Sequence, residues 1–144
     1  MQTIKQLLEN KGNELLTINP NSSVYDAIKS MADHHVGSLV VLENGNLVGI
    51  ITERDYSRNV ILKGKSSINT PVKDIMTKNV LCTNLNQTVD EAMALMTEKR
   101  VRHLPIIEDN KVIGIISIGD LVKTIISEQK YIIDQLEHYI NGYG

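Results

Sequence analysis

A chain of 144 residues with 42% hydrophobic and 22% charged residues has the composition of a folded globular protein and not of a disordered one. The formal net charge of -2 gives no general attraction to DNA or to an anionic membrane, so any bound anion needs a local basic cluster. A single cysteine, Cys82, excludes an internal disulfide and a thiolate zinc cage.

The first half of the chain predicts a short helix, a brief strand, a second helix and a β-hairpin, in that order. Apolar residues at helical spacing indicate the two helices, and Gly12 is placed to stop the first of them. Two apolar runs on either side of an Asn44-Gly45 turn indicate the hairpin, after which the chain returns to helix. The predicted bounds are 4–11 and 24–34 for the helices, 15–18 for the strand, and 36–42 with 47–51 for the hairpin.

After a stretch of linker composition that ends at Pro71, the same order of elements repeats. The two halves align at a constant offset without a gap, so that Gly49 corresponds to Gly114 and Asp55 to Asp120. Two similar units should pack about a pseudo-twofold axis, because neither buries its apolar faces alone. We therefore predict an α+β fold built from α/β-type repeats, with a leading helix at 1–14, repeats at 15–65 and 72–127, and a linker at 66–71.

A long C-terminal helix is predicted over residues 121–142, continuous with the second repeat and ended by Gly142. The helix is longer than one small repeat requires, and two explanations remain open: its apolar stripe meets the leading helix, or it meets a second subunit. The stripe consists of Leu121, Ile125, Ile132, Leu136 and Ile140.

The most informative motif is a heptapeptide that occurs once in each half, at residues 49–55 and 114–120. Both copies read Gly-x-x-[Ser/Thr]-x-x-Asp, so that a hydroxyl residue ends a strand and a carboxylate follows three positions later. A hydroxyl and the free amides of a helix start can bind phosphate oxygens, and a carboxylate can accept hydrogen bonds from vicinal hydroxyls. The alternative is a helix N-cap, Thr52 or Ser117, followed by an acid in the first turn.

The repeat and its motifs resemble a pair of CBS domains from about residue 5 to residue 141. Segments 72–77 and 101–106 are similar to motifs of that family, and the Gly-x-x-[Ser/Thr]-x-x-Asp signature ends each hairpin. The resemblance implies a tandem pair of strand-helix-strand-strand-helix units with two clefts between them, flanked by N- and C-terminal helices. The signature segments are similar to those of stand-alone modules of bacteria and plant organelles, and the resemblance implies a binding module without chemistry of its own.

The same resemblance implies that the clefts bind an adenosine nucleotide, with AMP as the first candidate, NAD and ATP as further ones, and no metal. The ribose and phosphate would be bound by Asp55 with Thr52 and by Asp120 with Ser117. Adenine would lie between the end of the first strand and the start of the second strand in each unit. The full set of expected binding residues is Thr17, Ile18, Pro20, Val36, Gly37, Ser38, Thr52, Arg54, Asp55, Thr83, Arg102, His103, Leu104, Pro105, Ser117, Gly119 and Asp120.

The two clefts are expected to be unequal, because the repeats differ at the positions that matter. The first repeat has Gly37-Ser38 where the second has Arg102-His103. If the repeats face each other, Arg54 of the first can converge with Arg102 and His103 of the second on the phosphates. The alternative is that all the arginines are solvated surface charges, and only Arg54 and Arg102 are assigned a binding role.

The composition predicts a cytoplasmic protein. The resemblance implies a sensor that reports adenosine-nucleotide or energy status to a separate client protein and forms a homodimer through its helices. The alternative is a homodimeric interaction scaffold that binds no ligand. An enzyme is not expected: Ser117, His103 and Asp120 share a neighbourhood, but Asp120 has a ribose role and no oxyanion site can be identified.

Three further kinds of site are not expected. The adjacent pair His34 and His35 cannot share a helix face as metal ligands do. Nucleic acid has no aromatic platform to stack on, since the chain has five Tyr and neither Phe nor Trp. No stretch approaches the roughly 20 apolar residues that a membrane-spanning helix needs.

Overall fold

The computed structural model describes residues 2–12 and 14–140, and within them it contains five strands and five α-helices. The helices and strands follow the predicted order. In the first half they are α1 (Ile4–Lys11), β1 (Thr17–Ile18), α2 (Val24–His34), β2 (Ser38–Glu43), β3 (Asn46–Thr52) and α3 (Glu53–Tyr56), followed by a π-helical turn (Ser57–Ile61) and a 3₁₀ turn (Val72–Asp74). In the second half they are α4 (Val89–Lys99), β4 (His103–Glu108), β5 (Lys111–Ser117) and α5 (Ile118–Ile140).

The two hairpins have the same register, so the sequence repeat is also a structural repeat. Ser38 pairs with Thr52 in the first hairpin, and the equivalent His103 pairs with Ser117 in the second. Each hairpin carries one irregularity at the same point of its register, between 41 and 42 and between 106 and 107. The predicted Asn44-Gly45 turn is confirmed, since both of its residues have positive φ, as a two-residue hairpin turn requires.

The first strand of each half is shorter than the sequence indicated. Residues 15–18 were expected to be extended, but only β1 pairs with β2, in parallel. In the second half the equivalent strand is reduced to a single parallel bridge between Thr83 and Ile106. A turn follows each segment, in which the side chains of Asn19 and Asn84 accept hydrogen bonds from the N–H two residues on, over 2.8 and 2.9 Å.

Each half has its own core, and each core is completed by a segment that precedes the opposite half. The first core contains Val72 and Ile75, from the start of the second half, beside α2 and the first hairpin. The second core contains Ile4, Leu7 and Leu8 of α1, from the start of the chain, beside α4 and the second hairpin. The segments that lead into the repeats are therefore exchanged, and this exchange joins the halves.

The C-terminal helix α5 begins at Ile118, three residues before its predicted start, and only its first turns are buried. Leu121 is fully buried and Ile125 packs on the second core beside α1, which confirms intramolecular packing for this part. Ile132 and Leu136 are each 56% exposed, so the rest of the stripe has no cover from the described residues of this chain. Gly142 and the side chain of Ile140 lie outside the described residues. Within 2–12 and 14–140, no helix combines the length and apolar character needed to cross a bilayer.

Candidate functional site

The hydroxyl and the carboxylate of each heptapeptide form a reciprocal helix cap. The Thr52 N–H donates to Asp55 Oδ2 over 3.0 Å, and the Asp55 N–H donates to Thr52 Oγ1 over 3.1 Å. Ser117 and Asp120 make the same pair of bonds at the start of α5, over 2.8 and 3.1 Å. The capping explanation of the motif is therefore confirmed, and it leaves the second carboxylate oxygen of each aspartate outside the cap.

A first cleft of about 420 Å³ lies beside the cap of the first half and has walls from both halves. Thr52, Arg54 and Asp55 of the first half face Arg102 and His103 of the second. The convergence that the sequence suggested for these side chains is thus a feature of the fold. Their role in binding a ligand stays a prediction. The remaining lining includes the apolar residues Ile50, Val80, Leu81 and Val101.

All four arginines of the chain line this first cleft, whereas none of its lysines does. Besides Arg54 and Arg102 the cleft contains Arg58 and Arg100, which the sequence analysis left as surface charges. Among the described residues, the four guanidinium groups face two carboxylates in this cleft, those of Glu53 and Asp55. The cleft is therefore a local basic cluster in a chain whose net charge is negative.

Burial raises the pKa of Asp55 above its ordinary value of 3.8. The hydrogen bonds from Thr52 and the charges of Arg54 and Arg58 act in the opposite direction and offset only part of this effect. The carboxylate thus lies in a partly desolvated position, where a hydrogen bond to a ligand is stronger than in water.

A second cleft, of about 480 Å³, lies beside the cap of the second half. Ser117, Gly119 and Asp120 face Val36, Gly37 and Ser38 of the first half across it, as expected from the sequence. Its charges differ from those of the first cleft, because two lysines are matched by two acids. These four residues are Lys11, Lys123, Glu14 and Asp120.

Lys11 is bound directly to the carboxylate of the second cleft. Its Nζ donates to Asp120 Oδ2 over 2.6 Å and to the Ile115 carbonyl oxygen over 2.7 Å. Burial alone would raise the pKa of Asp120, but the bond from Lys11, the bond from the Ser117 N–H and the charge of Lys11 hold that pKa below 3.8. The pKa values of the two equivalent aspartates are therefore shifted in opposite directions.

His103 and Gly37 line both clefts and so form a shared wall. A Cβ at Gly37 would lie 3.0 Å from Glu53 Oε1 and 3.4 Å from His103 Nε2, so only glycine leaves these side chains undisturbed. Burial lowers the pKa of His103, as do the charges of Lys11, Arg102 and Arg54, against the opposing effect of Asp120. These effects together favour the neutral form of His103.

Several expected binding residues do not line either cleft. Leu104 is fully buried in the second core, and Thr83 is 3% exposed with its hydroxyl bonded to Gln87. The segment that precedes these positions in each half lines the cleft instead. The expected residues outside the lining are Thr17, Ile18, Pro20, Thr83, Leu104 and Pro105, and those that replace them are Glu14, Leu16, Asn79, Val80 and Leu81.

The repeat offset contained a signal for some of the lining residues that sequence analysis missed. His35 and Arg100 are equivalent positions, both end a helix in the left-handed conformation (φ 55° and 56°), and each lines one cleft. Arg58 and Lys123 are a second equivalent pair. No such signal existed for Lys11, which precedes the repeats. Among the described residues, no three His, Cys, Asp or Glu side chains cluster as a metal site would require.

Comparison with known proteins gives a consistent result. The model of the CBS domain family matches residues 10–61 and 72–127. The mitochondrial CBS domain-containing protein CBSX3 of Arabidopsis thaliana is 45% identical to this chain, in an alignment that covers 97% of this chain and 72% of the plant protein. A crystal structure of a CBS domain protein, NE2398, is 50% identical, with a TM-score of 0.84 over 87% of this chain and 98% of that one.

Two further solved structures concern ligands and assembly. The CBS domain pair of protein MJ0100 was solved in complex with 5′-methylthioadenosine and S-adenosyl-L-methionine; it is 25% identical, with a TM-score of 0.79 over 89% of this chain and 98% of that one. The CBS-CP12 protein of bloom-forming cyanobacteria, 26% identical with a TM-score of 0.75 over 85% of this chain and 70% of that one, is described as hexameric. Adenosine-derived ligands and self-association thus both occur among similar proteins.

Proposed function

Because this chain belongs to the CBS-domain family, we propose that it is a regulatory module that binds an adenosine nucleotide, AMP first of all, in the first cleft. The observation that carries the proposal is the collection of all four arginines around the carboxylate of Asp55. Arginine binds phosphate oxygens with two parallel hydrogen bonds, which lysine cannot do. The solved complex of the MJ0100 pair with adenosine derivatives supports the adenosine part of the ligand.

The ribose is assigned to Asp55. Its Oδ2 accepts the bond from Thr52, which leaves one acceptor site on that oxygen and both on Oδ1. A cis-diol donates two hydrogens and can therefore bond to both oxygens of the carboxylate at once. The raised pKa of Asp55 fits this role, because the carboxylate lacks the solvation that a ligand hydroxyl would supply.

The phosphate is assigned to Arg54 and Arg102, which reach the cleft from opposite halves. The base is assigned to the apolar part of the lining, formed by Ile50, Val80, Leu81 and Val101. A longer phosphate chain could also use Arg58 and Arg100, so NAD and ATP remain further candidates.

A ligand in this cleft would act on both halves, because its phosphate would be bound by Arg54 of the first repeat and Arg102 of the second. Binding can change the protein only to the extent that the ligand prefers one arrangement of the halves over another. A separate client protein would recognise the arrangement of the halves that the ligand prefers. We propose a cytoplasmic location for the module. The plant relative CBSX3, by contrast, is described as mitochondrial.

A homodimer is the proposed form of the module, and the exposed stripe of α5 is its proposed contact. Ile132, Ile133 and Leu136 are each more than half exposed although they are large and apolar. Such a surface is unfavourable in water and is covered when two copies associate. The competing proposal is a homodimeric scaffold that binds no ligand. It does not explain why all four arginines line the first cleft.

Thermal unfolding with AMP, ADP, ATP and NAD tests the proposal, with ribose 5-phosphate as a probe that lacks adenine. A ligand that binds only the folded protein stabilises it by about 2.7 kcal/mol when present at 100 times its Kd. We expect stabilisation by AMP in the unmodified protein and much less in Asp55→Asn. Asp33→Asn, on the exposed face of α2, serves as the matched control. Absence of a shift with all four nucleotides would favour the scaffold.

A further inference from the structure

The second carboxylate of the repeat is already occupied by a side chain of the same protein. Among the described residues, two ion pairs are formed, and only the one between Lys11 and Asp120 lies in a cleft. The Lys11 and Asp120 side chains are 35% and 20% exposed, so the pair is shielded from bulk water but can be reached by a ligand. In the first cleft, no lysine or arginine in the described part of the chain makes a hydrogen bond to Asp55.

A count of acceptor sites shows what this pair does to the carboxylate. An ionised carboxylate offers about four acceptor sites, two on each oxygen. Asp120 Oδ2 accepts both from Lys11 Nζ and from the Ser117 N–H, so both acceptor sites of this oxygen are used. Within residues 2–12 and 14–140, Asp55 Oδ2 accepts only from the Thr52 N–H. A ribose diol can therefore bond to both oxygens of Asp55, but only to Oδ1 of Asp120 while Lys11 is in place.

We propose that Lys11 is a specificity-determining residue of the second cleft. A ribose with two free hydroxyls can bond to both oxygens of Asp120 only when the Lys11 amine withdraws from that carboxylate. This inference rests on the proposed function, since it concerns the same class of adenosine ligands. It predicts that the first cleft fills before the second. It also predicts that the second cleft, unlike the first, discriminates weakly between a ribose and a 2′-deoxyribose.

The withdrawal would involve the end of α1 and not the whole helix. Lys11 is the last residue of α1 and is followed by Gly12, whose φ of 96° lies in a region that other residues rarely adopt. Ile4, Leu7 and Leu8 anchor the helix in the second core. Occupation of the second cleft is thus linked to the last turn of α1 and to the segment that leads into the first half.

Calorimetric titration in an Asp55→Asn background tests the inference, because this background leaves the second carboxylate as the intact one. Adenosine and 2′-deoxyadenosine are the probes; neither carries a phosphate, so loss of the lysine charge does not affect them through phosphate binding. Adding Lys11→Met should tighten adenosine binding roughly tenfold, the effect of one charge-assisted hydrogen bond, and change 2′-deoxyadenosine binding much less. Lys29→Met, which removes a lysine from the exposed pair with Asp33, should change neither.

The outcomes separate the two proposals. If the unmodified protein binds neither adenosine nor AMP, the proposed function fails and this inference with it. If the unmodified protein binds adenosine but Lys11→Met leaves the residual site unchanged, weakened or undetectable, the role of Lys11 is wrong and the proposed function stands. Lys11→Ala is the second variant, to be used if thermal unfolding shows that Lys11→Met does not fold.

Discussion

Thr52 and Asp55 bond to each other twice, over 3.0 and 3.1 Å, and so begin α3 while they line the first cleft. The cap fixes the position of the carboxylate and uses one of its acceptor sites. A structural role and a binding role are therefore compatible in this motif, although from the sequence they were alternatives.

Asp55→Asn should remove nucleotide binding and leave the fold intact. The amide oxygen of asparagine can still accept from the Thr52 N–H, so we expect the free energy of unfolding to fall by less than about 1 kcal/mol. The AMP affinity should fall at least about tenfold, because the charged acceptor of the ribose hydroxyls is lost. Calorimetry and urea denaturation measure the two quantities, and a large loss of stability with unchanged affinity would show that the residue acts only as a cap.

Arg54→Gln combined with Arg102→Gln should weaken AMP binding more than adenosine binding. Each guanidinium is expected to bond to the phosphate, which adenosine lacks. Titration of both ligands into the double variant checks this, with Lys29→Gln and Lys73→Gln together as a charge-matched control. An equal loss for AMP and adenosine would contradict the phosphate role.

Acidification should empty the first cleft before the second. Burial raises the pKa of Asp55 above 3.8, whereas Lys11 holds the pKa of Asp120 below 3.8, so Asp55 loses its charge at the higher pH. The two carboxyl groups affect the free energy of unfolding in opposite ways. The contribution of Asp55 is lost as pH rises from 3.8 through the pKa of Asp55 in the folded protein. The contribution of Asp120 is lost as pH falls from 3.8 through the pKa of Asp120 in the folded protein. Adenosine affinity measured against pH in Asp120→Asn and in Asp55→Asn follows each cleft separately, and equal midpoints would rule out the difference.

Leu136→Glu should dissociate the proposed homodimer. The residue is 56% exposed in the single chain, and a carboxylate cannot be buried there without a large desolvation cost. Analytical ultracentrifugation of the variant should give the mass of one chain, whereas Gln135→Glu, which adds the same charge at the next position, should leave the dimer intact. A monomeric unmodified protein would exclude the dimer at once.

Leu104→Ala should behave as a core substitution, although the sequence analysis placed Leu104 at the ligand. The side chain is fully buried, so we expect a loss of about 2–5 kcal/mol in the free energy of unfolding. Leu39→Ala, at the equivalent and equally buried position of the first half, should cost a similar amount. Urea denaturation measures both. A loss of AMP affinity with normal stability would return Leu104 to the binding site.

The sequence predicted those features that lie within one continuous segment or recur at the repeat offset. The hairpins, the helices and the capping motif are of this kind. The difference between the two clefts is also of this kind, because Gly37 and Arg102 lie on different walls and belong to segments that correspond at the repeat offset. It did not predict the exchange of leading segments or the contact of Lys11 with Asp120. Both depend on which half a segment packs against, and residue periodicity carries no information on that choice.

A crystal structure of the protein grown with AMP tests the central claim most directly. The account predicts a nucleotide in the first cleft, with both ribose hydroxyls bonded to Asp55 and the phosphate bonded to Arg54 and Arg102. Density for AMP in the second cleft alone, or a ribose in the first cleft that does not touch Asp55, would contradict it.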